Sequence, residues 1–218
     1  YLEAVEDFVV NLSAISNTLV TYDSQATVTL TDNDSASLTV SDVTVDEGNN
    51  AVFTVILTGN VQGGVSMNYA TVDNSALAGS DYIAQTGTLN FTGTTPESQT
   101  ITVLTSEDVI SEALETFVID FTGITNNLVT YDTQVIGTIT DDDVYTVSIA
   151  DATIEETESA QILNFSVTLS GEAQDDVVLS FSTSTDTALA GADYITETRK
   201  IVDDSVRSKK MWLADADN

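Results

Sequence analysis

A self-similarity at a spacing of 109 residues sets what this chain can fold into. Asn17-Thr18-Leu19-Val20-Thr21-Tyr22-Asp23 recurs as Asn126-Asn127-Leu128-Val129-Thr130-Tyr131-Asp132, and Asp32-Asn33-Asp34 recurs as Asp141-Asp142-Asp143, each displaced by 109 positions (126 − 17; 141 − 32). Ala76-Leu77-Ala78-Gly79-Ser80-Asp81-Tyr82-Ile83 recurs as Ala188-Leu189-Ala190-Gly191-Ala192-Asp193-Tyr194-Ile195, displaced by 112 (193 − 81) after a small insertion between Thr157 and Leu163. A fixed displacement of this size means one domain-sized unit used repeatedly. The chain divides into the last third of one unit (1–34), a complete unit (35–143), the first part of a third (144–198) and an atypical tail (199–218). Tyr1 falls in mid-pattern, as expected of a piece of something longer.

Within the complete unit the apolar residues alternate with a period of two, the mark of half-buried strands. Phe53, Val55 and Leu57 share a face; so do Val65, Met67 and Tyr69; then come Leu89 with Phe91, Ile101 with Val103, Phe117 with Ile119 and Phe121, and Ile136 to Thr140. With an opening strand from Leu38 to Val45, these predict an all-β fold. The expected architecture is an Ig-like antiparallel β-sandwich of about seven strands, repeated in tandem. Gly59-Asn60, Gly63-Gly64, Gly79-Ser80 and Gly93-Thr94 supply the turns, and the lone Pro96 falls in one of them.

Charge narrows the function. The chain of 218 residues carries 35 acidic and 5 basic side chains, a formal net charge of −30, and no Cys or His. All five basic residues (Arg199, Lys200, Arg207, Lys209 and Lys210) lie in the tail, so residues 1–198 hold 31 acids (35 − 4) and no base. Side-chain salt bridges cannot neutralise such a fold, and a nucleic-acid backbone would be repelled. Without His or Cys there is no imidazole or thiolate metal site, no Ser-His-Asp or Cys-His pair and no disulfide. No apolar run reaches the length of a membrane span. The tail, with every base and the only Trp, reads as a non-native, frame-shifted or otherwise different segment.

The acids gather where strands end. They are Asp46 and Glu47 in the first turn, Asp81 after the Gly79 turn, Glu107, Asp108, Glu112 and Glu115 before the Phe117 strand, and Asp141 to Asp143 at the exit. Counting strands along a sandwich puts these turns at one pole. Carboxylates forced together repel unless a cation sits among them, and an all-oxygen set suits a hard divalent ion with six to eight ligands, calcium first. The competing reading is a solvated acidic surface, which does not explain why the acids recur at matching turns.

At these residues the sequence resembles the Calx-β family. The hallmarks are Ala76-Leu77-Ala78-Gly79-Ser80-Asp81-Tyr82, Gly87-Thr88-Leu89-Asn90-Phe91, Glu107-Asp108 through Glu115-Thr116-Phe117, and Thr138-Ile139-Thr140-Asp141-Asp142-Asp143. The resemblance implies a seven-strand sandwich with Ca²⁺ at one end, held by Glu47, Asp81, Glu107, Asp108, Glu112, Asp141, Asp142 and Asp143. The partial units add Glu3, Asp32, Asp34, Glu156 and Asp193 to the candidate ligands. Ser106-Glu107-Asp108-Val109 replaces the family's frequent run of aspartates, which implies fewer ions or weaker binding, and Asn33 replaces a middle acid in the first repeat, keeping an oxygen ligand but losing a charge.

The function expected is that of a non-catalytic, calcium-stiffened repeat module of a long extracellular or cell-surface protein, a bacterial adhesin above all. Its partners would be calcium ions, neighbouring repeats of the same chain and an unknown surface ligand, with no nucleic acid and no membrane insertion. The alternative is a regulatory calcium-sensor pair, as in exchanger-type membrane proteins. A two-carboxylate glycosidase is disfavoured because no pocket with aromatic walls is legible. Tyr22 and Tyr131 read as packing tyrosines at strand corners. The half-units at both ends are expected to leave unpaired strand edges. The Asn-x-Ser/Thr matches at Asn11, Asn33, Asn90 and Asn164 are what a Thr- and Ser-rich strand protein produces by chance.

Overall fold

A computed structural model describes residues 1–157, 159, 161–174, 176–203 and 209–214, the last two stretches from residue 199 onward as backbone only. The described residues contain strands and turns, with no helix long and apolar enough to cross a membrane. The strands are β1 (Glu6–Asn11), β2 (Gln25–Leu30), β3 (Ser37–Thr39), β4 (Val43–Asp46), β5 (Asn50–Thr58), β6 (Val65–Asp73), β7 (Thr86–Phe91), β8 (Glu97–Leu104) and β9 (Ile110–Ser111). They continue as β10 (Glu115–Thr122), β11 (Thr130–Tyr131), β12 (Gln134–Thr140), β13 (Thr146–Ile149), β14 (Ile162–Ser170), β15 (Glu172–Ala173), β16 (Val177–Ser182), β17 (Thr198–Asp203) and β18 (Lys209–Ala214). They fall into two compact units, one of residues 1–107 and 115–140 and one of residues 108–114 and 141–218.

The first unit is a two-layer sandwich, one sheet ordered β4-β12-β10-β6-β7 and the other β11-β3-β5-β8. The period-two pattern is expressed directly. Along β5, Ala51, Phe53, Val55 and Leu57 are buried while Val52, Thr54, Ile56 and Thr58 face outward. Phe117 lies at the centre, edge-on to Phe53 with centroids 6.0 Å apart and stacked on Tyr82 at 4.6 Å. Its register partner across the ladder is Gly137, where a Cβ would meet the Phe117 ring at 2.3 Å, so the ring lies flat over a residue that must have no side chain. Tyr131 packs on this core, as expected of a corner tyrosine. Tyr22, expected to pack likewise, is instead 42% exposed, on the segment between the exposed strands β1 and β2.

The opening strand departs from expectation. Instead of one strand from Leu38 to Val45, β3 pairs with β5 in one sheet and β4 pairs with β12 in the other, the chain changing layers through Val40 to Asp42. The corner is held by side chains on its flanks: Asp42 Oδ1 accepts from the Ile136 N–H at 2.8 Å and Asp132 Oδ2 from the Val40 N–H at 3.4 Å. A strand that switches sheets makes the ladder parallel at both edges, β3 with β11 and β4 with β12. The remaining pairs of the sandwich are antiparallel.

β1 and β2 form a hairpin whose strand residues are all exposed, among them Phe8, Val10, Val28 and Leu30. In the second unit β13-β14-β18 form one sheet and β16-β17 another, with β14 paired to β18 and β16 to β17 as β5 pairs with β8 and β6 with β7. The tail expected at 199–218 supplies most of β17 and all of β18; its residues 204–208 and 215–218 lie outside the described residues.

Packing at Phe117 gives a prediction whose sign opposes propensity. Gly to Ala inside a strand ordinarily stabilises. Gly137→Ala, by forcing Phe117 out of its place, destabilises by about 1–3 kcal/mol in urea unfolding; an unchanged or raised midpoint would show that the ring can move aside.

Candidate metal centre

In the first unit, main-chain hydrogen bonds draw four chain segments into one corner. The Glu47 N–H donates to the Thr140 carbonyl at 2.9 Å, the Gly48 N–H to Ser106 O at 2.9 Å, and the Ser106 N–H to Asp81 O at 2.9 Å. Thr105 Oγ1 donates to Asn49 O at 2.6 Å, and Thr140 Oγ1 to Asp46 Oδ1 at 2.6 Å. The first turn, the Asp81 turn, the end of β8 and the end of β12 therefore meet at one pole, the first three bringing Glu47, Asp81 and Glu107. Gly48 is required there: its φ is +71°, and a Cβ would stand 2.2 Å from Glu107 Oε2. The corner is built so that a carboxylate can lie against the bare turn.

Two carboxylate pairs result within this unit. Glu47 and Glu107 bring oxygens within 4.8 Å of each other, and so do Asp81 and Glu115. Glu47 is the one buried charged side chain among the described residues, at 7% exposure. Two anions at this range destabilise one another, most where water is excluded. No Lys or Arg occurs in residues 1–198 to offset them.

The Asp81 turn is set by its own motif. Asp81 Oδ2 accepts from the Leu77 N–H at 2.6 Å, and the Gly79 N–H, at φ +95°, donates to Tyr82 O at 2.8 Å. Tyr82 turns inward, and its buried hydroxyl donates to Asp73 Oδ1 at 2.6 Å, an oxygen that also accepts from the Ala78 N–H. The Tyr82 hydroxyl holds the Asp73 carboxyl below its usual range, and the Ala78 N–H adds to this. Burial, then the Asp73 carboxylate, push the Tyr82 phenol up to about 12. The Tyr–Asp clasp fixes the turn so that Asp81 is presented in one geometry. Asp193 in the second unit repeats this turn, Oδ2 accepting from the Leu189 N–H at 2.8 Å and the Gly191 N–H donating to Tyr194 O at 2.8 Å.

The second unit holds Asp108, Glu112 and the exit acids. Asp108 Oδ1 accepts from the Ile110 N–H at 2.7 Å, Ser111 Oγ donates to Asp141 Oδ2 at 3.3 Å, and Gln174 Nε2 donates to Glu112 Oε1 at 3.0 Å. Asp141 and Asp143 bring oxygens within 4.8 Å of each other. Asp141 Oδ1 and Asp143 Oδ2 are buried without a hydrogen-bond partner. Desolvation raises the Asp143 carboxyl above its usual range, and the charges of Asp141, Asp142 and Asp108 raise it further. Asp142 itself is exposed.

The remaining expected ligands lie elsewhere. Glu3, Asp32 and Asp34 line an open cleft with Val61, Gln62 and Thr92 in the first unit. There Asp32 accepts from the Glu3 N–H at 3.0 Å and the Asp34 N–H at 3.2 Å, which hold its carboxyl below the usual range. Glu156 and Asp193 are exposed. Glu115 enters the corner beside Asp81 although the resemblance did not carry it into the ligand set. Its signal was present in the sequence, since it flanks the Phe117 strand in the same acidic turn.

The buried, partnerless oxygens give a test that needs no metal. A carboxyl raised in the folded state is more easily protonated there than in the unfolded chain. Its contribution to stability is therefore complete in acid and lost as pH rises through the folded value. Asp143→Asn is expected to raise the melting temperature of the calcium-free protein at neutral pH, an advantage that vanishes as pH falls below the carboxylate range. A lowered melting temperature in the absence of calcium would contradict this account of the exit acids.

Among known proteins, the Calx-beta domain model matches residues 31–136 and 140–204 of the chain. Similar solved structures include the apo form of the Calx CBD1 domain, 24% identical, covering 50% of this chain and 98% of that one with a TM-score of 0.46. CBD12 from CALX1.2 is 23% identical over 83% of this chain and 73% of that one, with a TM-score of 0.44. The calcium binding domain CBD12 of CALX1.1 is 23% identical over 83% and 76%, with a TM-score of 0.45. No curated protein matches. With the two family matches taking in more than half of its residues, the chain belongs to the Calx-β domain family.

Proposed function

We propose that this chain is a non-catalytic, calcium-binding repeat module, stiffened by the ions it holds, from a long extracellular or cell-surface protein of the bacterial adhesin kind. The observation that carries the calcium reading is the pair of buried oxygens, Asp141 Oδ1 and Asp143 Oδ2, that have no hydrogen-bond partner in a segment with no basic side chain. A buried carboxylate oxygen in that condition costs free energy, and a hard cation with oxygen ligands removes the cost. The donor set fits calcium: carboxylates only, with no nitrogen or sulfur ligand available in a chain without His or Cys. In the first unit, Glu47 with Glu107 and Asp81 with Glu115 would hold ions; in the second, Asp141 and Asp143 would.

The extracellular setting rests on tandem repetition, Thr- and Ser-rich strands and weak expected affinity. Sites in extracellular modules commonly bind calcium at about 10⁻⁴–10⁻³ M, whereas sensors respond at about 10⁻⁷–10⁻⁵ M. The module is read as non-catalytic because no pocket with aromatic walls is legible around its acids. The surface partner of the parent protein would be met by other parts of the array or by the exposed strand faces.

Calcium is expected to raise the melting temperature, by an amount equivalent to about 2.7 kcal/mol at a hundredfold excess over Kd, and a chelator to reverse it. Replacing Asp141 and Asp143 together by Asn should remove most of that shift. An identical melting curve in calcium and in chelator would overturn the proposal, and a midpoint in the sensor range would favour the exchanger-type regulatory reading over the adhesin one.

A further inference from the structure

The two units contain the same contact, made at positions related by the repeat. In the first, Leu2 forms a parallel bridge with Val61, the Leu2 N–H donating to Asn60 O at 2.7 Å and the Gln62 N–H to Leu2 O at 3.0 Å. In the second, β9 pairs in parallel with β15, Ser111 opposite Ala173, and the Gln174 N–H donates to Ser111 O at 3.1 Å. Ser111 is the repeat counterpart of Leu2 (111 − 2 = 109), and Ala173 that of Val61 (173 − 61 = 112), the two displacements found independently in the sequence.

The neighbouring groups agree. Gly59, at φ +86°, would with a Cβ meet Ser35 O at 2.2 Å; Gly171, at φ +97°, would meet Val144 O at 2.8 Å. Gly171 and Val144 are the counterparts of Gly59 and Ser35 (171 − 59 = 112; 144 − 35 = 109). Gln174 Nε2 donates to Glu112 Oε1, and their counterparts Gln62 and Glu3 line one cleft. Asp32 accepts from the Glu3 N–H and its counterpart Asp141 from the Ser111 hydroxyl, so an exit acid steadies the bridging loop in both cases.

We propose that the turn at 59–62, with its counterpart at 171–174, is a docking surface whose occupant is the acidic loop of the preceding repeat, and that this clip recurs wherever one repeat follows another. It rests on the tandem organisation and not on the calcium reading. Its bonds are largely main chain, so it tolerates a change of side chains, Leu2 on Val61 at one junction and Ser111 on Ala173 at the other. Glycine at 59 and 171 lets the first residue of the receiving repeat pass the turn closely. The buried Leu2, 6% exposed, makes the first clip the firmer one.

Hydrogen exchange on the unmodified full chain tests this at the Gln62 and Gln174 amides, in calcium and in chelator. Both are expected to exchange at least about tenfold more slowly than unstructured amides, Gln62 the slower. Two cysteine pairs on a cysteine-free background give a second reading: Leu2→Cys with Val61→Cys, and Ser111→Cys with Ala173→Cys, should each close into an intramolecular disulfide faster than the control pair Leu2→Cys with Val52→Cys. Protection and closure at both junctions support the clip, even in a protein that calcium fails to stabilise. Protection at Gln62 alone, or closure at the rate of the control, overturns it, even where calcium raises the melting temperature.

Discussion

Repulsion between carboxylates that the backbone will not let separate is the constraint on which this structure turns. Main-chain bonds from Glu47 to Thr140, Gly48 to Ser106 and Ser106 to Asp81 fasten four strand ends together whatever charge they carry. The acids ride on those ends. Moving these turns apart to relax the repulsion would break those main-chain bonds, so the crowding is a cost that the corner carries. In the second unit, burial first and then the charges of Asp141, Asp142 and Asp108 raise the carboxyl of Asp143.

The rest of the fold is arranged to hold the corner rigid. Phe117 leaves the acidic turn at the start of β10, lies over Gly137 and stacks on Tyr82, whose hydroxyl clasps Asp73. The ring that anchors the core and the turn that presents Asp81 are thus joined by direct contact. A loss of packing at Phe117 would be felt at the Asp81 turn, which is one reason for an aromatic core directly beneath an electrostatically stressed pole.

Most of the sandwich was legible in the sequence because half-buried strands write their faces into alternate residues, as Phe53, Val55 and Leu57 do. The division of the opening strand into β3 and β4 was not. Both halves keep a strand-like composition, and the layer change is fixed by Asp42 and Asp132, whose acceptors act on residues 94 and 92 positions away. Turn counting could bring Glu47, Asp81 and Glu107 to one corner of the first unit, whereas the pairing of Asp81 with Glu115 depends on how β10 enters the sheet. The main-chain clip leaves no side-chain signature, since Leu2 and Ser111 share no chemistry. Only the repeat displacement reveals them as the same position.

The central claim is that a divalent cation is what these carboxylates are arranged to receive. Carboxyl carbon resonances of Asp and Glu, followed by NMR as calcium is added to the full chain, test it most directly. Saturable shifts are expected for Glu47, Glu107, Asp81, Glu115, Asp141 and Asp143, while a structural acid such as Glu97, whose oxygens are already occupied by Thr92 and Gly93, stays in place. Small, unsaturable shifts spread evenly over all the acids up to millimolar calcium would contradict the account.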